Sequence, residues 1–132
     1  MSRAVLADTG PLYAAIDRAD QYHARAQADL NRLASARLTV VVADPTLLEC
    51  HNLIVRRLGP QPGLQWLADV LRGPRAHPTA ADYSAAALRL RAYPDQPLTM
   101  TDAVLAVLSE QLTFAVWTFD HHFDVMRVPV WR

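Results

Sequence analysis

The chain has 132 residues, of which 52% are hydrophobic, and its formal net charge at pH 7 is zero. This size and composition predict one compact domain over residues 1–132 and exclude a disordered chain. The chain has one cysteine and its basic residues are all arginines, which excludes an internal disulfide, a CxxC metal site and a Walker-type phosphate loop.

Short apolar runs alternate with segments of helical period in the first half of the chain, a pattern typical of an α/β fold. The predicted elements are a strand at 4–7 followed by a turn at Gly10-Pro11, helices at 11–18 and 21–33, a strand at 38–42, and a helix at 44–58. Asp44 is interpreted as the N-cap of that last helix, with Pro45 at its first position, and is therefore not taken as a site residue.

The same alternation continues through the second half. The predicted elements are helices at 64–71, 80–91 and 101–111, a short strand at 75–77, a loop at 93–97, a strand at 114–118 and an edge strand at 128–130. No apolar run reaches the length that spans a bilayer, and no leader-like segment opens the chain. We therefore expect a cytoplasmic protein with no membrane partner.

Four carboxylates stand at positions that a parallel sheet brings to one edge. Asp8 and Asp120 follow predicted strands, Asp102 lies in the first turn of a predicted helix, and Glu49 lies about one turn into another. In an open parallel sheet, ligands bind at the carboxyl ends of the strands, where the following helices also begin. We therefore expect the four groups to converge.

Each of these residues also has a simpler explanation. Asp8 is suited to a turn, Asp120 to a loop, and Asp102 has the spacing from Thr99 that forms a capping box. Glu49 stands in an apolar stretch, where a carboxylate is costly unless it is exposed or paired. The hypothesis of a joint site depends on the four acids occurring together.

Carboxylates crowded at one point repel each other and take up protons unless a cation neutralises them. Oxygen ligands of this kind suit Mg²⁺ or Mn²⁺ rather than zinc. Such a metal lowers the pKa of bound water and stabilises charge on a phosphoryl oxygen, which is the chemistry of phosphodiester hydrolysis. The adjacent His121 and His122 are expected to point apart, and Cys50 is interpreted as a core residue.

The acids lie in four segments whose order and spacing resemble the motifs of PIN-domain proteins. These segments are LADTGPL at 6–12, LE at 48–49, LTMTDA at 98–103 and TFDHHF at 118–123. The segment DQYH at 20–23 and the loop at 93–102 resemble PIN toxins of the VapC type. The resemblance implies a three-layer α/β/α PIN-like domain with a central parallel sheet of four to five strands.

The resemblance also implies a function. PIN toxins of this type are Mg²⁺-dependent endoribonucleases of type II toxin–antitoxin pairs that cleave structured RNA, mainly tRNA and rRNA. They form homodimers and are inhibited by a VapB-like antitoxin whose C-terminal segment reaches the acidic pocket. The alternatives are a housekeeping PIN nuclease in RNA processing and a non-enzymatic PIN-like binding module.

By the same resemblance, Asp8 and Asp102 are expected to be the principal metal ligands. Glu49 and Asp120 are expected to complete the shell, through water or by positioning the nucleophile. Mg²⁺ is the expected cofactor, with Mn²⁺ able to replace it.

Further residues near these motifs are candidates for supporting roles. Thr9 and Thr118 match hydroxyl positions beside the acids and are expected to orient carboxylate or water. Asp95 is interpreted either as an outer acid or as a loop residue, whereas the loop interpretation is preferred for Asp124.

A neutral chain needs a local basic patch to bind RNA phosphates. The arginine pairs that suggest such a patch are Arg56 with Arg57, Arg72 with Arg75, and Arg89 with Arg91. The alternative for each pair is a solvated helix face.

Overall fold

A computed structural model describes residues 3–132, which form seven helices and five strands. The strands are β1 (Ala4–Ala7), β2 (Thr39–Ala43), β3 (Arg75–Ala76), β4 (Ala115–Trp117) and β5 (Val130–Trp131). The helices are α1 (Thr9–Ile16), α2 (His23–Ser35), α3 (Asp44–Leu58), α4 (Pro60–Val70), α5 (Ala80–Leu90), α6 (Met100–Leu112) and α7 (His122–Val125). None of these helices is long and apolar enough to cross a membrane.

The five strands form one sheet in the order β3-β2-β1-β4-β5, and every neighbouring pair is parallel. From β1 the chain proceeds outward to β3, and then crosses to the other side of β1 to form β4 and β5. The direction of winding therefore reverses between β1 and β4. Crevices that bind ligands in parallel sheets open at such a point, outside the carboxyl ends of the strands.

Helices cover both faces of the sheet, which confirms the predicted three-layer α/β/α fold with a parallel sheet. All four residues of β1 are buried, as expected for a central strand packed on both faces. Val5 and Ala7 pack with residues of α1 and α2, whereas Leu6 packs in a second cluster with residues of α5, α6 and α7. Eight consecutive residues of α6, from Asp102 to Ser109, are buried.

The start of α1 differs from the prediction. The predicted turn at Gly10-Pro11 is wrong, because α1 begins at Thr9 and Asp8 is its N-cap. Pro11 lies in the first helical turn, where backbone N–H groups have no partner within the helix, so its missing N–H costs nothing there. Asp8 is therefore fixed at the junction between a buried strand and a helix.

The interpretation of Asp44 as an N-cap is also wrong. Ala43 occupies the N-cap, Asp44 is the first residue of α3, and its side chain makes no capping bond. Its Oδ2 instead lies 2.8 Å from Nδ1 of His77, which follows β3. The contact between Asp44 and His77 thus joins the end of β2 to the end of β3, two segments that are distant in the sequence.

Two further helices differ from the prediction. The helix predicted from residue 64 is α4, which begins at Pro60 because its prolines at 60 and 62 fall in the first turn. Only Gly59, at φ +101°, separates α3 from α4. The short helix α7 was not predicted, since its four residues carry too little periodicity. The other elements end within two residues of their predicted limits.

Candidate active site

Asp8 lies at the centre of the sheet edge, between β1 and β4. Its side chain is only 6% exposed. Oδ1 accepts the Thr9 N–H at 2.9 Å and Oδ2 accepts the Thr118 hydroxyl at 2.9 Å. The Asp8 N–H donates to the Trp117 carbonyl at 2.9 Å. Hydrogen bonds from both neighbouring segments therefore hold this carboxyl at the switch point of the sheet.

The surroundings of Asp8 favour its protonated form. Burial raises its pKa from 3.8 to about 7, although the hydrogen bond from Thr118 acts in the opposite direction. The negative charges of Asp120 and Asp102 raise the pKa of Asp8 further. An acid with a pKa this high is a candidate functional group, because burial and like charges are the usual means of tuning active-site carboxyls.

Asp102 combines two roles at the start of α6. Its Oδ2 accepts the Thr99 N–H at 2.9 Å, and its own N–H donates to the Thr99 hydroxyl at 3.2 Å, which completes the capping box. Its side chain is nevertheless only 9% exposed and its charge acts on Asp8. The capping interpretation and the site interpretation of Asp102 are therefore compatible.

Asp120 stands in the segment after β4, on the solvent side of Asp8. Its N–H donates to the Thr118 hydroxyl at 3.3 Å, and its Oδ1 accepts the His122 N–H at 2.9 Å. Thr118 therefore bonds both to Asp8 and to the backbone of Asp120. We call the three carboxylates Asp8, Asp102 and Asp120 the acidic edge.

His122 is a neighbour of the acidic edge that the sequence did not predict. Its Nδ1 lies 3.2 Å from Oδ2 of Asp102 and 3.7 Å from Oδ1 of Asp120, and within residues 3–132 this buried nitrogen has no hydrogen-bond partner. The expectation that His121 and His122 point apart is wrong, since their ring centres are 5.5 Å apart. The short helix α7 turns His122 toward the acids.

The donor set of the acidic edge suits a hard divalent cation. Its ligand atoms are carboxylate oxygens, and the chain contains no lysine that would neutralise them instead. The Thr9 hydroxyl, next to Asp8, is buried and has no hydrogen-bond partner among residues 3–132. In that same part of the chain, no three acidic, histidine or cysteine side chains are already grouped closely enough to hold an ion.

A protein-family model described as the PIN domain matches residues 5–129. The chain belongs to the PIN-domain family. This membership agrees with the parallel sheet and with the acids that follow β1 and β4. No curated protein matches the sequence significantly.

Solved structures share the fold of this PIN domain over nearly its whole length. VapC20 of Mycobacterium tuberculosis, described as a sarcin–ricin loop cleaving toxin, is 21% identical with a TM-score of 0.85, covering 97% of this chain and 98% of its own. VapBC2 of Rickettsia felis, bound to a promoter DNA fragment, gives 13% identity and a TM-score of 0.71, covering 98% and 99%. FitAcB of Neisseria gonorrhoeae is 19% identical with a TM-score of 0.69, and the match covers 97% of this chain and 96% of the FitAcB chain.

Glu49 of this PIN domain is placed differently from the three aspartates. Its side chain is exposed on α3, and within residues 3–132 the carboxylates that raise the pKa of Asp8 are Asp120 and Asp102. The role of Glu49 at the site stays a prediction. Its neighbour Cys50 is fully buried in a core cluster, which confirms the interpretation of Cys50 as a core residue. Burial also raises the pKa of its thiol to about 12, which disfavours the reactive thiolate.

The two remaining acidic candidates, Asp95 and Asp124, differ in their contacts. Asp95 is exposed in the loop before α6, and its role stays a prediction. Asp124 lies in α7 rather than in a loop, and its Oδ2 is 2.6 Å from the guanidinium of Arg132. That ion pair accounts for Asp124 without a role at the site.

Proposed function

We propose that this PIN domain is a metal-dependent endoribonuclease of the VapC type, the toxin of a type II toxin–antitoxin module, and that it cleaves structured RNA such as tRNA or rRNA. The observation that carries the proposal is the buried carboxyl of Asp8 at the switch point, with Asp102 and Asp120 beside it. The fold shared with VapC20, a toxin described as cleaving the sarcin–ricin loop, supports RNA as the substrate.

In this proposal Asp8 and Asp102 would be the principal ligands of Mg²⁺ or Mn²⁺, and Asp120 and Glu49 would complete the shell, through water or by positioning the nucleophile. A cation held there would supply a water of lowered pKa and positive charge for the phosphoryl oxygens. Thr118 orients the Asp8 carboxyl through its 2.9 Å hydrogen bond. Because burial raises the pKa of Asp8 to about 7, Asp8 would have to give up its proton in order to hold the cation.

The proposed partners follow from the same comparisons. Two of the matching structures, VapBC2 and FitAcB, bear the names of toxin–antitoxin complexes, and both share the fold of this chain. We propose a VapB-like antitoxin as the inhibitor of this chain and a homodimer as its assembly. An antitoxin segment that covers the acidic edge would block access of both cation and RNA.

Cleavage of purified RNA tests this function. The protein is incubated with total tRNA and with rRNA, in Mg²⁺ and in EDTA, and the products are resolved on denaturing gels. We expect discrete fragments in Mg²⁺, no fragments in EDTA, and recovery when Mn²⁺ is added in excess of the chelator. Equal cleavage in EDTA would contradict the proposal.

Replacement of Glu49 tests the outermost acid. We expect Glu49→Gln to lower kcat/KM for RNA by roughly 10- to 100-fold, the usual effect of a group that acts through a ligand or water. Glu110→Gln is the matched control, because Glu110 is the other glutamate and lies at the end of α6 in an ion pair with Arg89. If Glu49→Gln and Glu110→Gln both retain wild-type kcat/KM, Glu49 has no role in cleavage.

A further inference from the structure

A pocket of about 320 Å³ opens directly beside the acidic edge. This volume falls within the range of pockets that hold small ligands. Its walls include two of the edge carboxylates together with aromatic and basic side chains, namely Asp8, Asp120, Tyr13, Tyr22, Phe119 and Arg57. A group bound in the pocket would therefore contact the same carboxylates that are proposed to hold the metal.

Two aromatic rings form an open surface at this pocket. The Tyr22 side chain is 44% exposed, and its ring centre lies 5.5 Å from that of Phe119 at an angle of 51°. Phe119 is half-buried and rests edge-on against Trp117, with ring centres 6.4 Å apart. The core thus supports Phe119 from behind, while Tyr22 has ring surface accessible to a planar ligand.

Local contacts fix the backbone that carries Tyr22. Oδ1 of Asp20 accepts the Tyr22 N–H at 2.8 Å, which closes a tight turn before α2. His23 then joins α2 to α1 through a 2.7 Å contact between its Nδ1 and the Ala14 carbonyl. Phe119 directly precedes Asp120 in the chain. The aromatic surface therefore lies next to the acidic edge without any rearrangement.

Two arginines supply positive charge at the same place. The guanidinium of Arg25 lies 4.3 Å from the ring centre of Phe119, and that of Arg57 lies 5.1 Å from the ring centre of Tyr13. Both residues are exposed. Arg89, from another of the arginine pairs, is bound to Glu110 at 2.7 Å instead. Of Arg25 and Arg57, Arg57 is the one that lines the pocket.

We propose that this pocket binds one unpaired nucleotide of the RNA, next to the phosphate that is cleaved. The base stacks on the exposed ring of Tyr22, beside Phe119, and Arg57 contacts a backbone phosphate. Exposed aromatic faces combined with arginines are the usual means of holding unstacked bases and their backbone. This inference rests on the proposed ribonuclease function, because the acids Asp8 and Asp120 repel a phosphate unless a cation lies between them.

Stacking is tested with Tyr22→Leu and with Tyr83→Leu as its matched control, since Tyr83 is 38% exposed on α5. The probe is a short single-stranded RNA carrying 2-aminopurine, mixed with protein and Mg²⁺ in a stopped-flow instrument so that binding is recorded before cleavage. We expect Tyr22→Leu to weaken binding by about 5- to 100-fold and to remove the quenching of 2-aminopurine. In cleavage assays KM rises while kcat is retained, and Tyr22→Phe restores binding.

The phosphate contact is tested with two adjacent residues of α3. Arg57→Gln is compared with Arg56→Gln, whose side chain lies in a different surface depression with His51 and Val55. Binding of the same RNA probe is measured over a range of salt concentrations. We expect Arg57→Gln to reduce the slope of log K against log salt by about 0.7, the value for one phosphate contact to a single strand, and Arg56→Gln to leave it unchanged.

The outcomes separate the pocket from the function. If the wild-type protein fails to cleave RNA in Mg²⁺, the proposed function is wrong and the pocket inference with it. If it cleaves RNA while Tyr22→Leu and Arg57→Gln match Tyr83→Leu and Arg56→Gln, the pocket inference alone is overturned. It is also overturned if Tyr22→Leu binds RNA normally and loses only binding of an antitoxin, because the pocket is then a protein-docking site.

Discussion

We expect Asp8→Asn to abolish the proposed Mg²⁺-dependent RNA cleavage while the protein stays folded. Asparagine has nearly the shape of aspartate, and its amide oxygen can accept the Thr9 N–H while its amide NH2 donates to the Thr118 hydroxyl, so that one of the two hydrogen bonds reverses its direction. It carries no negative charge and is a far weaker ligand for Mg²⁺. Because a metal ion in such a site typically contributes several kcal/mol of transition-state stabilisation, we expect kcat/KM to fall by at least about a thousandfold.

The measurement is kcat/KM with purified RNA, accompanied by thermal unfolding of each variant. Asp69→Asn is the matched control, since Asp69 is an exposed aspartate on α4. It is expected to keep wild-type activity. The unfolding temperature of Asp8→Asn in EDTA at neutral pH should equal or exceed that of the wild type, because a buried carboxyl under repulsion has been removed. Residual cleavage by Asp8→Asn within tenfold of the wild type would contradict the assigned role of Asp8.

The second large effect is on stability as a function of pH in the absence of metal. The pKa of Asp8 is raised to about 7 in the folded chain, from 3.8 as its ordinary value. Between these two pH values the folded protein retains a proton that the unfolded chain has released, so stability falls as pH rises through this window. The folded state loses about 4 kcal/mol by this route between pH 4 and pH 8.

Other carboxyls change the pH dependence of stability in the opposite direction, so the effect of Asp8 is measured as the difference in stability between the wild type and Asp8→Asn. The pKa values of Asp17 and Asp82 are lowered by hydrogen bonds, from Tyr13 and from the Thr79 backbone respectively. Such groups make stability rise with pH. Urea unfolding of wild type and Asp8→Asn in EDTA, from pH 4 to pH 8, isolates the contribution of Asp8. The wild type is expected to lose its stability relative to Asp8→Asn as pH rises, and parallel curves would contradict the raised pKa.

Adding Mg²⁺ at pH 8 extends the same experiment. A cation that binds the ionised Asp8 stabilises the folded protein by mass action, by about 2.7 kcal/mol at a hundred times its dissociation constant. The wild type should gain this stability, and Asp8→Asn should not. If Mg²⁺ and Mn²⁺ leave the wild-type unfolding curve unchanged, the acidic edge does not bind metal and the non-enzymatic alternative gains support.

The sheet edge was predictable because local patterns determine it. The apolar strand before Asp8, the β-branched strand at 39–43 and the strand before Thr118 each show their type within a few residues. A parallel sheet then brings their carboxyl ends together whatever the details of the helices. The Thr99–Asp102 capping box was equally visible, since its spacing is fixed by the first turn of a helix.

The contacts that the sequence did not predict depend on tertiary structure. The partnership of Asp44 with His77 joins residues 33 positions apart, and no local rule indicates it. His122 approaches Asp102 because α7 begins two residues after Asp120. A helix of four residues is too short to produce a recognisable hydrophobic period in the sequence. The aromatic surface of Tyr22 and Phe119 requires α2 and the segment after β4 to be neighbours.

The most direct test of a metal-dependent ribonuclease centred on Asp8 is the sequencing of RNA 5′ ends after induced expression in cells. Wild type, Asp8→Asn and the control Asp69→Asn are expressed at equal levels, and new 5′ ends are mapped over tRNA and rRNA. New ends should appear at a few discrete sites with the wild type and Asp69→Asn, and be absent with Asp8→Asn. The same new ends with Asp8→Asn, or none with the wild type, would contradict the proposed function.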